Sequence, residues 1–198
     1  MAMRRFAPAR DDLELVARAG SGDTDAFTEL YARNVDQVYV QITRLIGPVA
    51  DREDVLQQVF LALHRALPRF RGESAFSTFL YRITVNATYD YLRHRRRRAA
   101  THDAAAIDAL IDGDPGPEDR ARRREELRLI FALLDRIKPK KRIAFVLVAV
   151  EGLTLGEAAE LVGARADAVK QRVLHARREL IALLERSEPS SPGGSHEP

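Results

Sequence analysis

The chain has 198 residues, of which 45% are hydrophobic and 31% charged, enough apolar material for one large domain or two small ones under an ion-rich surface. It has no cysteine, which excludes disulfides, thiol catalysis and cysteine-ligated metal within this chain. The net charge is +3 but unevenly placed: 16 basic against 12 acidic residues over 1–98, 4 against 7 over 99–125, and 12 against 8 over 126–186. Two basic blocks flank an acidic one, so a polyanionic partner is one reading and charged, solvated faces are the other.

In chain order, helix signals dominate. A first helix is predicted over 12–19, closed by Gly20, after an extension (1–11) expected to be disordered. A second runs from about Asp25 to Ile46, where Gly47 and Pro48 stop it. A third starts at Asp51, a candidate N-cap with Glu53 and Asp54 at the helix's positive end. Its apolar residues Val55, Leu56, Val59, Phe60, Leu63, Ala66 and Leu67 make one stripe, and Pro68 ends it. A loop around Gly72 leads to a fourth helix over 74–97. Residues 99–117 read as an acidic, flexible linker with one helical turn at 107–111. Helices are then predicted over 118–137, 140–151, 155–161 and 166–186. The Ser/Pro/Gly-rich tail, 187–198, is expected to be disordered.

The longest apolar run, Ile143 to Val150, is far short of the roughly 20 residues a membrane span needs. The arginines near the N-terminus are followed by no apolar stretch, so no signal peptide is read there. A cytoplasmic location is expected.

The sharpest local pattern lies within 152–180. Thr154 and Glu157 have capping-box spacing. A short helix follows, then Val162, Gly163 and Ala164 as a tight turn, then a longer helix with Val169, Val173, Ala176 and Leu180 inward. That order is the helix-turn-helix pattern, although a helical hairpin with a charged face has the same spacing. A groove-reading helix needs donors near its start, and Arg165, Lys170, Gln171 and Arg172 supply them, with Arg177 and Arg178 further along the same basic exterior.

Residues 69–98 interleave cations with rings and end in four arginines, 95–98. On a helix, Phe76, Phe79, Leu80, Ile83 and Ala87 form a core stripe. Arg82, Asn86, Tyr89 and Arg93 form a second stripe with little reason to be buried. Cations with stackable rings suit an unpaired strand; core aromatics beside solubilising arginines would give the same composition.

At these residues the chain resembles the sigma factors of the sigma-70 family, specifically the small extracytoplasmic-function (ECF) type. The resemblance is carried by DREDVLQQVF at 51–60, RFRGESAF at 69–76, FLYRITVN at 79–86, DYLR at 90–93, and the stretch from EGLT at 151–154 through 178. It covers most of 25–184 with the pieces in order. It implies an all-α chain of two small domains: region 2 over 12–98 and region 4, a helix-turn-helix, over 118–186, joined by the flexible linker 99–117. It implies that Asp54, Gln57, Gln58 and Leu61 meet the clamp helices of the RNA polymerase β′ subunit, with Gln58 standing where the family usually has an acid. It implies that Arg69, Phe70, Arg71, Ser74, Arg82, Asn86, Tyr89 and Arg93 serve melting and reading of the −10 element, Phe70 and Asn86 at an extruded base. It also implies that Arg165, Asp167, Lys170, Gln171, Arg172 and Arg177 read the −35 duplex. Arg165 stands where the family often has a capping serine or threonine.

The implied partners are core polymerase (β′ clamp helices and β flap), promoter DNA and an anti-sigma factor. A helix-turn-helix regulator of another kind would account for 152–180 but not for 69–98. An enzyme is the weaker reading. His64, His94, His102, His175 and His196 share no ligand spacing and no phosphate-cradling glycine loop is present, so no catalytic residue, metal or cofactor is expected.

Overall fold

The computed structural model describes residues 10–95, 107–108, 110–111 and 116–187. Residues 1–9, the arginines at 96–98, most of the linker and residues 188–198 lie outside it, and with them most of the expectations for the two termini. No β-strand is present among the described residues.

Helix α1 (Arg10–Gly20) starts two residues before its predicted position. A glycine turn leads to Asp23, whose carboxylate accepts from the Ala26 N–H at 3.0 Å and from Arg18 Nε at 2.8 Å. This N-cap starts α2 (Thr24–Ile46) and ties it to α1, a contact of about 1 kcal/mol. Leu30, Val38, Ile42, Leu45 and Ile46 line the buried side of α2. Gly47 ends it at φ 86°, a backbone conformation that favours glycine.

Helix α3 (Arg52–Ala66) buries most of its predicted stripe: Val55, Leu56, Val59, Phe60 and Leu63 are buried, with Leu67 just beyond, while Ala66 is half-buried. Asp51 precedes α3 but makes no side-chain cap. Its carboxylate accepts from the Tyr91 hydroxyl at 3.0 Å instead, linking the start of α3 to the last turns of the next helix. Burial pushes the Tyr91 phenol well above its ordinary pKa, with Arg95 opposing.

A 3₁₀ turn, Leu67–Arg69, and a loop lead to α4 (Phe76–Arg95). Its core stripe departs from the expectation. The buried residues are Phe76, Leu80, Tyr81, Thr84, Val85, Thr88 and Leu92, while Phe79, Ile83 and Ala87 are only half-buried. Two threonines enter the core because their hydroxyls turn back onto the helix. Thr84 donates to the Leu80 carbonyl at 3.0 Å and Thr88 to that of Val85 at 2.9 Å, so neither is left unsatisfied.

The predicted turn at 107–111 is present, with the Leu110 N–H donating to the Ile107 carbonyl at 3.0 Å. Ile107 is buried. Asp108 pairs through both carboxylate oxygens with Arg124. Helix α5 (Pro117–Leu134) follows, with proline in its first turn where no N–H is needed. It stops at Leu134 rather than at the predicted Ile137. Pro139 both ends that stretch and opens α6 (Pro139–Phe145). The helix predicted over 140–151 widens after Phe145 into a π-segment, Val146–Val150, closed by the Glu151 N–H on the Val146 carbonyl at 2.9 Å. Helices α7 (Leu155–Leu161) and α8 (Ala166–Ser187) complete the described chain.

Helices α1 to α4 form one bundle and α5 to α8 a second. The two are packed on each other: Leu134, Ile143, Val146, Leu147 and Val169 belong to the same buried cluster as Leu30, Leu45 and Phe76. A smaller cluster of Leu133, Ile137, Ala176 and Leu183 holds α5 to α8. Each fully buried aliphatic side chain here contributes about 1.5–3 kcal/mol.

Candidate nucleic-acid interface

The loop before α4 and the first turns of α4 enclose a recess of about 490 Å³ lined by Pro68, Arg69, Phe70, Arg71, Glu73, Ser74, Phe79 and Arg82. Phe70 is half-buried. Its ring lies tilted against Phe79, centroids 4.7 Å apart, and meets Phe76 edge-on at 6.3 Å. The Arg82 guanidinium sits over the Phe79 ring, 5.8 Å from its centroid. Five of the eight residues expected at the unpaired strand therefore line one recess: Arg69, Phe70, Arg71, Ser74 and Arg82. Phe79 joins them, although its spacing from Phe76 reads as core. The i, i+3 relation of Phe79 to Arg82 is the one sequence signal that could have singled it out.

The remaining three lie further along α4. Asn86 and Tyr89 line a second cavity of about 300 Å³, whose other walls are Val85, Lys140, Ile143, Val162, Gly163 and Arg172. Phe70 and Asn86 thus line different cavities. Arg93 is exposed and within 3.4 Å of Asp90. The four-arginine run is described only at Arg95, which stacks over Tyr91 at 5.7 Å.

On α3, Asp54, Gln57, Gln58 and Leu61 are all exposed, on the face opposite Val55, Val59 and Leu63. Leu61 is 56% exposed, an apolar residue presented to solvent beside an acid and two amides.

The helix-turn-helix is built as its spacing predicts. The Glu157 N–H donates to Thr154 Oγ1 at 3.2 Å and the Thr154 N–H to Glu157 Oε2 at 2.7 Å, completing the capping box. The Thr154 N–H, and then its hydroxyl, hold the Glu157 carboxyl below its ordinary pKa. Gly163 turns the chain at φ 59°, and the Ala164 N–H returns to the Ala159 carbonyl at 2.9 Å. Val169, Val173 and Ala176 are buried, and Leu180 is half-buried. Arg165, Asp167, Lys170, Gln171 and Arg177 are exposed on the outer side of α8. Arg172 departs from that face. It is half-buried and turned into the second cavity, opposite Asn86 and Tyr89.

Among the described residues, no group of three or more His, Asp or Glu is placed to hold a metal ion, and no helix is long and apolar enough to cross a membrane. His64 packs edge-on against Phe27 at 5.0 Å.

Residues 30–98 match the sigma-70 region 2 family and residues 127–180 the sigma-70 region 4 family. The chain is 36% identical over 180 residues to the RNA polymerase sigma factor NccH of Alcaligenes xylosoxydans xylosoxydans, covering 89% of this chain and 96% of that one. It is 32% identical over 176 residues to the ECF RNA polymerase sigma-E factor of Escherichia coli (strain K12), covering 85% and 92%. The structure of CnrH in complex with the cytosolic domain of CnrY matches with a TM-score of 0.60 and 30% identity, over 89% of this chain and 99% of that one. The sigma factor RpoE of Bartonella quintana, solved with the anti-sigma factor NepR, shares the fold at a TM-score of 0.56 and 20% identity, over 82% and 98%.

Proposed function

The chain belongs to the ECF sigma factors of the sigma-70 family, which direct core RNA polymerase to promoters and start transcription, and from that premise we propose which surfaces of this chain do that work. Residues 12–98 act as region 2 and residues 118–186 as region 4. The outer face of α3, with Asp54, Gln57, Gln58 and Leu61, docks on the β′ clamp helices, and the second module meets the β flap. The recess at Phe70 takes an unpaired base of the −10 element. A base that leaves the duplex loses its stacking, and a recess with an aromatic floor and cations at its rim returns that stacking and neutralises the adjoining phosphate. Asn86, Tyr89 and Arg93 continue the track for the separated strand along α4.

The exposed start of α8 enters the −35 major groove. Arg165, Lys170 and Gln171 donate to base edges and phosphates, Asp167 accepts, Arg177 reaches the backbone, and Arg172 joins them only on leaving the second cavity into which it is turned. Arg165 has no acceptor and cannot cap α8 as serine would; its contribution is DNA contact. The linker 99–117, net acidic in its surroundings, is repelled by DNA and drawn to basic channels of the polymerase. The factor works by binding alone, in the cytoplasm, with no cofactor and no covalent step, and is restrained by an anti-sigma protein. The solved complex of the similar CnrH with a cytosolic domain supports a protein partner of that kind.

The observation that carries this reading is the recess formed by Arg69, Phe70, Arg71, Ser74, Phe79 and Arg82. The test is transcription by purified core polymerase with this factor, from a promoter the holoenzyme selects out of a randomised library. Phe70→Ala and Asn86→Ala are expected to impair strand opening more than duplex binding. Normal opening by both variants overturns the assignment.

A further inference from the structure

The second cavity, of about 300 Å³, carries charge that nothing in the described chain answers. Two cations line it, Lys140 from α6 and Arg172 from α8, and no acid does. Arg172 is half-buried. Three other half-buried guanidiniums each have a carboxylate: Arg44 lies 3.2 Å from Glu151, Arg95 lies 3.7 Å from Asp135, and Arg124 pairs with Asp108. Among the described residues, Arg172 and Lys140 make no ion pair and no hydrogen bond. A cation drawn partly out of water without a counter-ion carries a desolvation cost that an incoming anion offsets.

The rest of the lining sets the kind of anion. Val85, Ile143 and Val162 give an apolar wall, and Tyr89 adds a half-buried ring. Walls of this kind take a flat ring. The Asn86 amide can both donate and accept. It has no partner among the described residues, so it is free to meet the polar edge of such a ring. Gly163 lines the cavity at φ 59°, and a Cβ there would meet nothing within 4 Å, so the space beside its backbone is open. A guanidinium holds a phosphate through two parallel hydrogen bonds, and an ammonium adds a point charge. Together they match the double charge of a phosphate monoester. The volume lies at the lower end of the roughly 300–1,000 Å³ that small-ligand sites span, which suits a single nucleotide better than a longer molecule.

We propose that this cavity binds a free nucleoside monophosphate. Arg172 and Lys140 hold the phosphate, the base lies against Tyr89 and the apolar wall, and Asn86 meets its polar edge. The site shares no lining residue with the recess at Phe70. Its walls come from α4 in the first bundle and from α6 and the helix-turn-helix in the second, so a bound nucleotide touches both bundles and stabilises the whole chain. Ring and phosphate also recur in every unit of a single strand, and the test separates these two sources. The inference goes beyond the DNA-contact reading of Asn86, Tyr89 and Arg172, and it is measured without polymerase or promoter.

The full chain is titrated by calorimetry with the 5′-monophosphates of adenosine, guanosine, cytidine and uridine. The matching nucleosides, inorganic phosphate and a short mixed-sequence single-stranded oligonucleotide are titrated in parallel. At least one monophosphate is expected to bind one to one and to raise the melting temperature as its concentration rises. Its nucleoside and inorganic phosphate should each bind about tenfold more weakly, or worse. Lys140→Ala, at a residue assigned no DNA contact, should weaken that monophosphate about tenfold, and Arg172→Ala at least as much. Lys138→Ala removes a nearby exposed cation that does not line the cavity, and should leave binding unchanged. No binding by any of the four monophosphates overturns the site. Equal losses in Lys138→Ala and Lys140→Ala also overturn it, since they would mean diffuse attraction to a basic surface. Inorganic phosphate binding as tightly as every monophosphate removes the nucleotide assignment. Binding of the oligonucleotide alone gives the cavity to the strand and overturns the proposal too. Failure of the parent to open any library-selected promoter with core polymerase would instead overturn the DNA-contact reading.

Discussion

The loop before α4 and the outer face of α8 both present arginines to solvent, yet only the first sets them around a floor of stacked rings. At α4, Phe70 and Phe79 lie 4.7 Å apart under Arg82 and floor a recess. At α8, the apolar side chains Val169, Val173 and Ala176 all point inward, leaving a convex, charged face. A recess with a ring floor suits one flat base that has left its partner. A convex helix with donors suits the edges of bases still paired. The same residue type thus serves two kinds of DNA according to whether rings or solvent lie beside it.

Four perturbations test that difference, in falling order of effect. Phe76 is 1% exposed beneath the recess, so Phe76→Ala should cost about 3–5 kcal/mol of folding stability, read by denaturant unfolding. A destabilisation below about 1 kcal/mol would mean that the recess floor is not set by the core. Phe70→Ala removes the half-buried stacking ring and leaves Phe76 in place. It should weaken binding of the unpaired −10 strand by about 1–3 kcal/mol, with stability nearly unchanged. On the convex side, Lys170→Ala with Arg177→Ala should lower duplex affinity and reduce the slope of log affinity against log salt by about one for each phosphate no longer neutralised. An unchanged salt slope would remove these two residues from the phosphate-binding set.

Thr154→Ala has the smallest expected effect, about 1 kcal/mol from loss of the cap. Its pH dependence has a definite sign. The Glu157 carboxyl is held below its ordinary pKa in the folded chain by the Thr154 N–H and hydroxyl. The capping box therefore adds stability above the unfolded carboxyl's pKa and loses it as pH falls through the lowered folded value. Thr154→Ala should shrink that acid-side loss, as read by thermal melts across pH.

Local chemistry made most of the helices legible. Gly47 and Pro48 mark the end of α2, Thr154 with Glu157 starts α7, and Gly163 makes the turn before α8. Local patterns say little about partners distant in sequence. Asp51 has the composition of an N-cap, but its carboxylate goes to Tyr91, 40 positions away. Thr84 and Thr88 look polar in a helical projection, yet they are buried because their hydroxyls bond backward to their own helix. Arg142 reads as one more cation among Lys140 and Lys141, yet it is the largest fully buried side chain among the described residues, received by Asp135 and by the Leu45 carbonyl, 97 positions away. The interleaving of cations and rings over 69–98 is a composition signal and includes Phe70 and Arg82, but their meeting around one recess is not written in it. Phe79 was not legible as part of that recess, since a half-buried ring and a core ring share the same spacing.

The most direct test of the account compares the two readers on two DNAs. Holoenzymes carrying the parent factor, Phe70→Ala, or Lys170→Ala with Arg177→Ala are titrated with a single-stranded −10 fragment and with a −35 duplex from the same library-selected promoter. The account predicts a crossed result: Phe70→Ala loses about tenfold or more on the single strand and little on the duplex, and the double variant the reverse. Equal losses by each variant on both DNAs would contradict the division of labour between α4 and α8.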